Sequence, residues 1–159
     1  MKSNPMKFEI VERPSFCIMG ISVWTINKDG IAGTDIYNLW QKWFQDGIAD
    51  RIPAKLSDDV YNLYCDYESD HSGRYRVILG NLVKSIDRIP KDLTGRKFPK
   101  SKYAVYHLTG KLPYVVVETW KNIYLEKRFQ RKYQADFDIY DMNAYDPEKA
   151  IVDICVSVK

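Results

Sequence analysis

The sequence predicts an α+β fold built from two similar β-α-β-β halves. Runs of β-branched and aromatic residues with strand-like alternation are interspersed with two segments of helical periodicity. The same order of elements occurs in residues 7–84 and again in residues 100–158, and a polar, proline-containing linker from Lys84 to Lys100 separates them. A chain of 159 residues with 45% hydrophobic content is sufficient for one core, so we expect a single domain over residues 1–159.

The first half begins with FEIVERPSFCIMGISVWT, which predicts one long strand over about residues 7–25 with a kink at Pro14. A helix follows, in which apolar residues recur at helical spacing: Ile36, Leu39, Trp40, Trp43 and Phe44. Two apolar runs on either side of the polar turn at residues 69–73 then predict a β-hairpin. The order of the first half is therefore strand, helix, strand, strand.

The second half repeats this order. It has KYAVYHLTG as a strand, a helix over about residues 113–132, and the strands ADFDIYD and AIVDICVSVK. Two such units related by a pseudo-twofold axis give a curved antiparallel sheet with both helices on one face. We therefore expect the opposite face to form a ligand cleft.

Strand alternation assigns side chains to the two faces of this sheet. In ADFDIYD it directs Asp138 and Tyr140 into the cleft, and their counterparts in the first half are Asn62 and Tyr64. Gly80 is expected on the same face, where its missing side chain allows a close approach to the backbone. In the last strand the alternating apolar residues are expected to face the helices: Val152, Ile154, Val156 and Val158.

Charge, cysteine content and motifs narrow the class of protein. The formal charge of +3 arises from 24 basic and 21 acidic residues spread along the chain, so direct nucleic-acid binding is not expected. The densest basic stretch, which includes Lys121, Arg128 and Arg131, is interpreted as the solvated outer face of the second helix. The cysteines are widely spaced, and no metal or phosphate-binding motif indicates a cofactor. No signal peptide or membrane-length apolar segment is present, so we expect a cytoplasmic protein without a membrane partner.

Several segments together resemble the GyrI-like family of small-molecule-binding domains: FEIVERPSFCIMGIS, RYRVILGNLV, YAVYHLTG, ETWKNIYLEKRF, DFDIYD and VDICVSV. Such domains occur alone or fused to AraC-type and MerR-type DNA-binding domains in bacterial multidrug regulators. The resemblance implies paired β-α-β-β modules of the SHS2 type, and binding of lipophilic, often cationic aromatic compounds by an acid in an aromatic pocket. One branch of the family hydrolyses strained cyclopropane-containing toxins. Three departures are Asp138, where the family often has Glu, Lys127, where an aromatic residue is common, and Arg128-Phe129, which replace the usual Leu-Pro.

Several side chains are candidates for such a site. The candidate acids are Glu118, Glu126 and Asp138, and Asp153 ranks after these three. Each of them could instead be a solvated surface carboxylate. Burial makes an unpaired carboxylate costly until a cation pairs with it, and nearby rings add cation–π attraction, so the combination favours flat cationic ligands. The two tryptophans among the candidate walls could instead be core residues. The candidate aromatic walls are Trp40, Tyr64, Trp120, Tyr124 and Tyr140.

The leading hypothesis is a stand-alone module that senses or sequesters small lipophilic, cationic aromatic compounds, with a link to transcription regulation. One alternative is a hydrolase in which a buried acid and a Tyr hydroxyl direct water onto a strained electrophile. A second alternative is an interaction protein that inhibits a DNA-acting enzyme, which would require an exposed apolar patch. The sequence leaves the oligomeric state undetermined.

Overall fold

The computed structural model of the chain describes residues 5–144 and 146–159. Within these residues the strands are β1 (Glu9–Arg13), β2 (Phe16–Ile26), β3 (Val60–Cys65), β4 (Arg74–Val83), β5 (Thr94–Phe98), β6 (Ser101–Gly110), β7 (Ala135–Tyr140) and β8 (Ala150–Val158). The helices are α1 (Ile31–Gln45), the single-turn α2 (Ile48–Arg51) and α3 (Tyr114–Tyr124), and a 3-10 turn covers Met142–Ala144. None of the helices in these ranges is long and apolar enough to cross a bilayer.

The strands form one antiparallel sheet in the order β1-β6-β8-β7-β3-β4-β2-β5. The units β2-α1-β3-β4 and β6-α3-β7-β8 are equivalent halves that meet at the central β3–β7 pair. Each half also receives an edge strand from outside itself, because β1 pairs with β6 and β5 pairs with β2. The predicted α+β class and the duplicated β-α-β-β arrangement are confirmed.

Two predicted elements differ from the structure, and a proline lies at each difference. The long strand predicted over residues 7–25 is divided into β1 and β2 at Pro14, and β5 forms within the predicted linker and ends just before Pro99. Proline has no N–H to give to a strand ladder, so the pairing breaks there. Because only two residues connect β1 to β2, strands near opposite ends of the sheet order must approach each other, which requires a strongly curled sheet.

The concave face of this curled sheet is filled by its own side chains. Phe16 of β2 contacts Phe98 of β5 with 5.5 Å between ring centroids, and contacts Phe137 of β7 with 5.6 Å. Tyr103 and Cys155 are buried in the same cluster. The prediction of an open ligand cleft on the face away from the helices is therefore wrong, because the curl brings rings from distant strands together there.

Both helices pack on the convex face of the sheet. Leu39 and Trp43 of α1 are buried against Val77 and other side chains of β2 and β4. The predicted orientation of the last strand is confirmed, because its alternating apolar residues form a core with α3: Val152, Ile154, Val156 and Val158. The two helices cover the two halves separately and leave the central β3–β7 pair between them.

The second helix ends at Tyr124, well before the end predicted at about residue 132. Glu126 explains the early end, because its Oε1 accepts hydrogen bonds from the backbone N–H of Lys127 at 3.1 Å and of Arg128 at 2.9 Å. A side chain that captures backbone N–H groups in this way competes with continuation of a helix. The basic stretch is therefore not one solvated helix face, and the side chain of Arg131 is only 8% exposed.

Candidate functional site

Asp138 lies in the middle of β7 and is completely buried. In the sheet it is opposite Asn62 of β3 on one side and Ile154 of β8 on the other. Residues directly opposite each other on neighbouring strands share a face, and Ile154 packs under α3. Asp138 therefore points toward the helices, and the predicted orientation of Asp138, Tyr64 and Tyr140 away from the helices is wrong.

Both carboxylate oxygens of Asp138 accept hydrogen bonds from aromatic side chains. Trp120 of α3 donates from Nε1 to Oδ1 at 2.9 Å. Tyr64 of β3 donates from its hydroxyl to Oδ2 at 2.7 Å, and the same hydroxyl accepts a hydrogen bond from Nδ2 of Asn62 at 3.0 Å. The acid is thus fixed between the two halves of the molecule by donors from both halves.

Burial determines the charge of this acid. Removal from water raises the pKa of Asp138 from 3.8 to about 7, and hydrogen bonds from Tyr64, Trp120, Asn62 and Tyr140 keep the increase smaller than it would otherwise be. Burial also raises the pKa of Tyr64 and of Tyr140 well above 10, so both remain phenols at neutral pH. Among the described residues no Lys, Arg or His forms an ion pair with Asp138.

Aromatic rings surround Asp138, and we call them the aromatic cluster: Trp40, Tyr64, Trp120, Tyr124 and Tyr140. Tyr64 meets Trp120 edge to face with 5.3 Å between centroids, and Tyr140 meets Trp40 edge to face with 5.2 Å. The centroids of Trp120 and Tyr124 are 6.2 Å apart. Trp120 is 9% exposed, while the other four rings of the cluster are partly exposed. The structure therefore brings together all five predicted aromatic residues over the acid.

The hairpin between β3 and β4 closes the cluster at Tyr124. The ring of His71 stacks on Tyr124 with 4.3 Å between centroids and 9° between the ring planes. Asn27, which follows β2, donates from Nδ2 to the Tyr124 hydroxyl at 3.3 Å and accepts a hydrogen bond from the Tyr75 hydroxyl at 2.6 Å. These contacts join the end of α3 to the first half of the chain.

The other predicted acids lie elsewhere. Glu118 is exposed on α3 and pairs with Lys121 at 3.3 Å. Glu126 accepts from Nε of Arg128 at 2.7 Å, and this hydrogen bond lowers the pKa of Glu126 to about 2. Asp153 bonds Nδ1 of His107 at 2.7 Å on the face away from the helices. Of the four candidates, Asp138 is the one that is buried without a cation among the described residues.

Gly80 lies on the concave face, away from the aromatic cluster. It is opposite Gly20 where β4 pairs with β2. A Cβ at Gly80 would lie 2.3 Å from the carbonyl oxygen of Met19. The backbone that approaches Gly80 closely is therefore that of the neighbouring strand β2. Gly80 does not contact the aromatic cluster, so its prediction as a ligand-binding residue is not supported by its position.

A second buried acid next to the cluster was missed from the sequence. Oδ1 of Asp136 accepts hydrogen bonds from the backbone N–H and the hydroxyl of Ser157, at 2.7 and 2.9 Å. Its Oδ2 accepts from the Tyr67 hydroxyl and from Nη2 of Arg131, each at 2.7 Å. The spacing of Asp136 and Asp138 in ADFDIYD puts both on one face, which was a usable signal. Nothing in the sequence pattern indicated that Arg131 would be buried beside them.

Comparisons with known proteins agree with this architecture. A family model described as integron-associated effector binding protein matches residues 9–158. YobU of Bacillus subtilis (strain 168), which is named as a candidate transcriptional regulator, is 36% identical over 124 residues, or 76% of this chain and 78% of YobU. An integron cassette protein of Vibrio cholerae is 28% identical, with a TM-score of 0.74, over 96% of this chain and 95% of that chain.

A further solved structure, that of SAV2435 bound to tetraphenylphosphonium, has a TM-score of 0.80 and 21% identity, over 97% of this chain and 94% of that one. At this identity the likeness concerns the fold. The resemblance to small-molecule-binding domains noted in the sequence is supported at the level of an effector-binding family. On the evidence of a family model that covers nearly the whole chain, the protein belongs to the integron-associated effector binding proteins.

Proposed function

We propose that the protein binds small, lipophilic aromatic cations within the aromatic cluster, with Asp138 as the counter-ion. The observation that carries this proposal is a completely buried carboxyl group that is surrounded by rings and has no cationic partner among the described residues. We infer that this binding serves sensing or sequestration linked to transcription regulation. The name of the relative YobU, a candidate transcriptional regulator, supports that link.

The physical basis is the cost of a buried charge. With a pKa of about 7, Asp138 is protonated in part of the molecules at neutral pH, because its charged form lacks a counter-ion. An arriving cation supplies that counter-ion and drives the carboxyl group to ionise. Each ring face that meets the cation adds about 0.5–2 kcal/mol of cation–π attraction. The positive charge and aromatic surface of the ligand therefore matter more than its detailed shape.

Ligand entry requires the rings of the cluster to move. Asp138 is inaccessible here, beneath the edge-to-face pairs formed by Tyr64 with Trp120 and by Tyr140 with Trp40. The partly exposed rings of Trp40 and Tyr140 are the part of the cover that reaches solvent on the α1 side. SAV2435, which has a similar fold, binds tetraphenylphosphonium, a cation carrying phenyl rings, and this supports a ligand of that class.

Titration calorimetry with tetraphenylphosphonium tests the proposal at about pH 8, where Asp138 is mostly ionised. We expect Asp138→Asn, which keeps the shape and removes the charge, to weaken binding by roughly 30-fold or more, the usual cost of losing one partner of a buried charge pair. Glu118→Gln is the matched control and should bind like the wild type, because Glu118 is exposed and pairs with Lys121. Equal affinity of wild type and Asp138→Asn, or equal binding of neutral triphenylphosphine oxide, contradicts the proposal.

A hydrolase is a second candidate function, and the contact between Asp138 and Tyr64 is the observation that favours it. The Tyr64 hydroxyl and Oδ2 of Asp138 are 2.7 Å apart, and an acid with a pKa of about 7 is suited to proton transfer at neutral pH. Incubation with a cyclopropane-bearing alkylating agent, followed by mass spectrometry of the ring-opened water adduct, tests this. We expect Tyr64→Phe to abolish turnover and to retain tetraphenylphosphonium binding. Absence of turnover by the wild type removes this candidate.

A further inference from the structure

A cavity with a volume of about 550 Å³ lies beside the aromatic cluster, beyond the end of α3. We call it the tyrosine groove, and the residues that define it are Tyr67, Tyr124, Phe129, Arg131, Lys132 and Tyr133. Its volume is within the range of cavities that hold small organic molecules. The tyrosine groove does not include Asp138, so it is a feature additional to the proposed cation site.

Arg131 carries unused hydrogen-bonding capacity in this groove. Its side chain is 8% exposed, and Nη2 donates to Oδ2 of Asp136 at 2.7 Å. Its Nε and Nη1 have no hydrogen-bond partner among the described residues. A buried donor without an acceptor is destabilising, and more so when it carries charge. An acceptor that enters the groove would remove this cost.

Arg131 remains charged despite its burial. Burial by itself would lower the pKa of Arg131, but the charge and hydrogen bond of Asp136 together with Tyr67 and Tyr133 outweigh burial, and the pKa of Arg131 is raised. Lys132 and Lys159 also line the groove. The carboxylate in the lining, Glu126, is already held by Arg128 at 2.7 Å. The side chains that line the groove therefore carry more positive than negative charge, which favours an anion.

Aromatic rings cover the free donors. The ring centroid of Tyr133 is 4.3 Å from the guanidinium carbon of Arg131, and that of Trp120 is 5.6 Å from it. Tyr133 has a φ of 55°, in the left-handed region that bulky residues seldom adopt. Such strained backbone is common where a side chain is held for a purpose other than packing. Because Nε and Nη1 of Arg131 are buried, a ligand that reaches them must displace the ring of Tyr133.

We propose that the tyrosine groove is a second binding site, for planar aromatic anions such as aromatic carboxylates. The anionic oxygens accept hydrogen bonds from Nε or Nη1 of Arg131, and the aromatic ring of the ligand packs against Tyr67 and Tyr133. Trp120 lies between this site and the proposed cation site, because its Nε1 donates to Asp138 while its ring faces Arg131. The protein would therefore hold ligands of opposite charge on the two sides of one indole.

The test uses 2-naphthoate as the anion and nuclear magnetic resonance of the Arg131 Nε–Hε group as the readout. We expect a saturable shift of that resonance in the wild type, because a new acceptor changes the environment of Hε. Arg131→Lys keeps a positive charge beside Asp136 and removes the free guanidinium donors, so we expect its affinity for 2-naphthoate to fall about tenfold or more. Lys121→Gln, which alters an exposed cation on α3, is the matched control and should bind like the wild type.

Three results would overturn the proposal. One is an Arg131 Nε–Hε resonance that does not move in the wild type, and this result stands even if Arg131→Lys fails to fold. Another is a variant Arg131→Lys that folds and binds 2-naphthoate as tightly as the wild type. The third is equal binding of neutral 2-naphthamide in the tyrosine groove. None of these results depends on whether tetraphenylphosphonium binds at Asp138, so the two sites are tested separately.

Discussion

Replacing Asp138 with Asn isolates the cost of the buried charge at the centre of the sheet. Folding raises the pKa of Asp138 from 3.8 to about 7. Between these values the folded protein binds more protons than the unfolded chain, so the free energy of unfolding falls as the pH rises. The difference corresponds to about 4 kcal/mol over the whole interval, of which roughly 2–3 kcal/mol falls between about pH 5 and pH 8. Above about pH 8 the loss is nearly complete.

Urea unfolding of wild type and Asp138→Asn at about pH 5 and pH 8 measures this effect. Other carboxylates titrate alike in both proteins, so their contributions cancel when the two are compared at each pH. We expect the stability of Asp138→Asn relative to the wild type to increase by roughly 2–3 kcal/mol from the lower to the higher pH. Glu118→Gln should show no such change, because Glu118 is exposed. If the free energy of unfolding depends on pH in the same way for wild type and Asp138→Asn, the conclusion that Asp138 is a buried, unpaired acid is refuted.

Two further predictions concern the ionisation of Asp138 on ligand binding and the close packing of β4 against β2 at Gly80. If tetraphenylphosphonium pairs with ionised Asp138, its affinity should rise about tenfold per pH unit below pH 7 and level off above pH 7. Binding should also release a proton, which calorimetry in buffers of different ionisation enthalpy detects, and this release should be absent in Asp138→Asn. Gly80→Ala should lower the free energy of unfolding by roughly 1–3 kcal/mol without changing tetraphenylphosphonium affinity, because the new Cβ would meet the Met19 carbonyl oxygen at 2.3 Å. The control Gly33→Ala lies in α1 with open space around it and should stabilise the protein by about 0.5–1 kcal/mol, so a loss as large as that of Gly80→Ala would contradict the steric explanation.

The order of elements and the identity of the residues at the centre were accessible from the sequence, but the face they occupy was not. Alternation in ADFDIYD shows that Asp138 and Tyr140 share a face, and it does not show which face meets the helices. Apolar Phe137 and Ile139 suggested the helix side, because a sheet with one core buries its apolar side. Here the curl creates a second core on the concave face, which takes Phe137 and Ile139 instead.

The register of β7 against β8 contains the missing information. Val152, Ile154, Val156 and Val158 were correctly assigned to the helix side, and Asp138 lies directly opposite Ile154. Residues that are paired directly across two adjacent strands lie on the same face of the sheet. The orientation of β8 therefore determines the orientation of β7. The sequence gives no direct indication of this register, because the connection between the two strands is longer than a tight hairpin turn.

The position of the proposed cation site follows from the duplication itself. Asn62 and Asp138 face each other where β3 meets β7, so the pseudo-twofold axis passes between them and exchanges Tyr64 with Tyr140. The two edge-to-face pairs obey the same symmetry, since Tyr64 meets Trp120 at 5.3 Å and Tyr140 meets Trp40 at 5.2 Å.

The duplication thus places a symmetric set of rings over the central β3–β7 pair, which neither helix covers. One difference between the two halves, Asn62 opposite Asp138, gives this site its charge. An acid at both central positions would place two carboxylates together in a buried site, where each would suppress ionisation of the other. With Asn62 on one side of the axis and Asp138 on the other, the central pair carries a single carboxylate. The amide also supports that group, because Nδ2 of Asn62 donates to the Tyr64 hydroxyl that in turn donates to Asp138. A symmetric fold with an asymmetric central pair is therefore suited to a ligand with one positive charge.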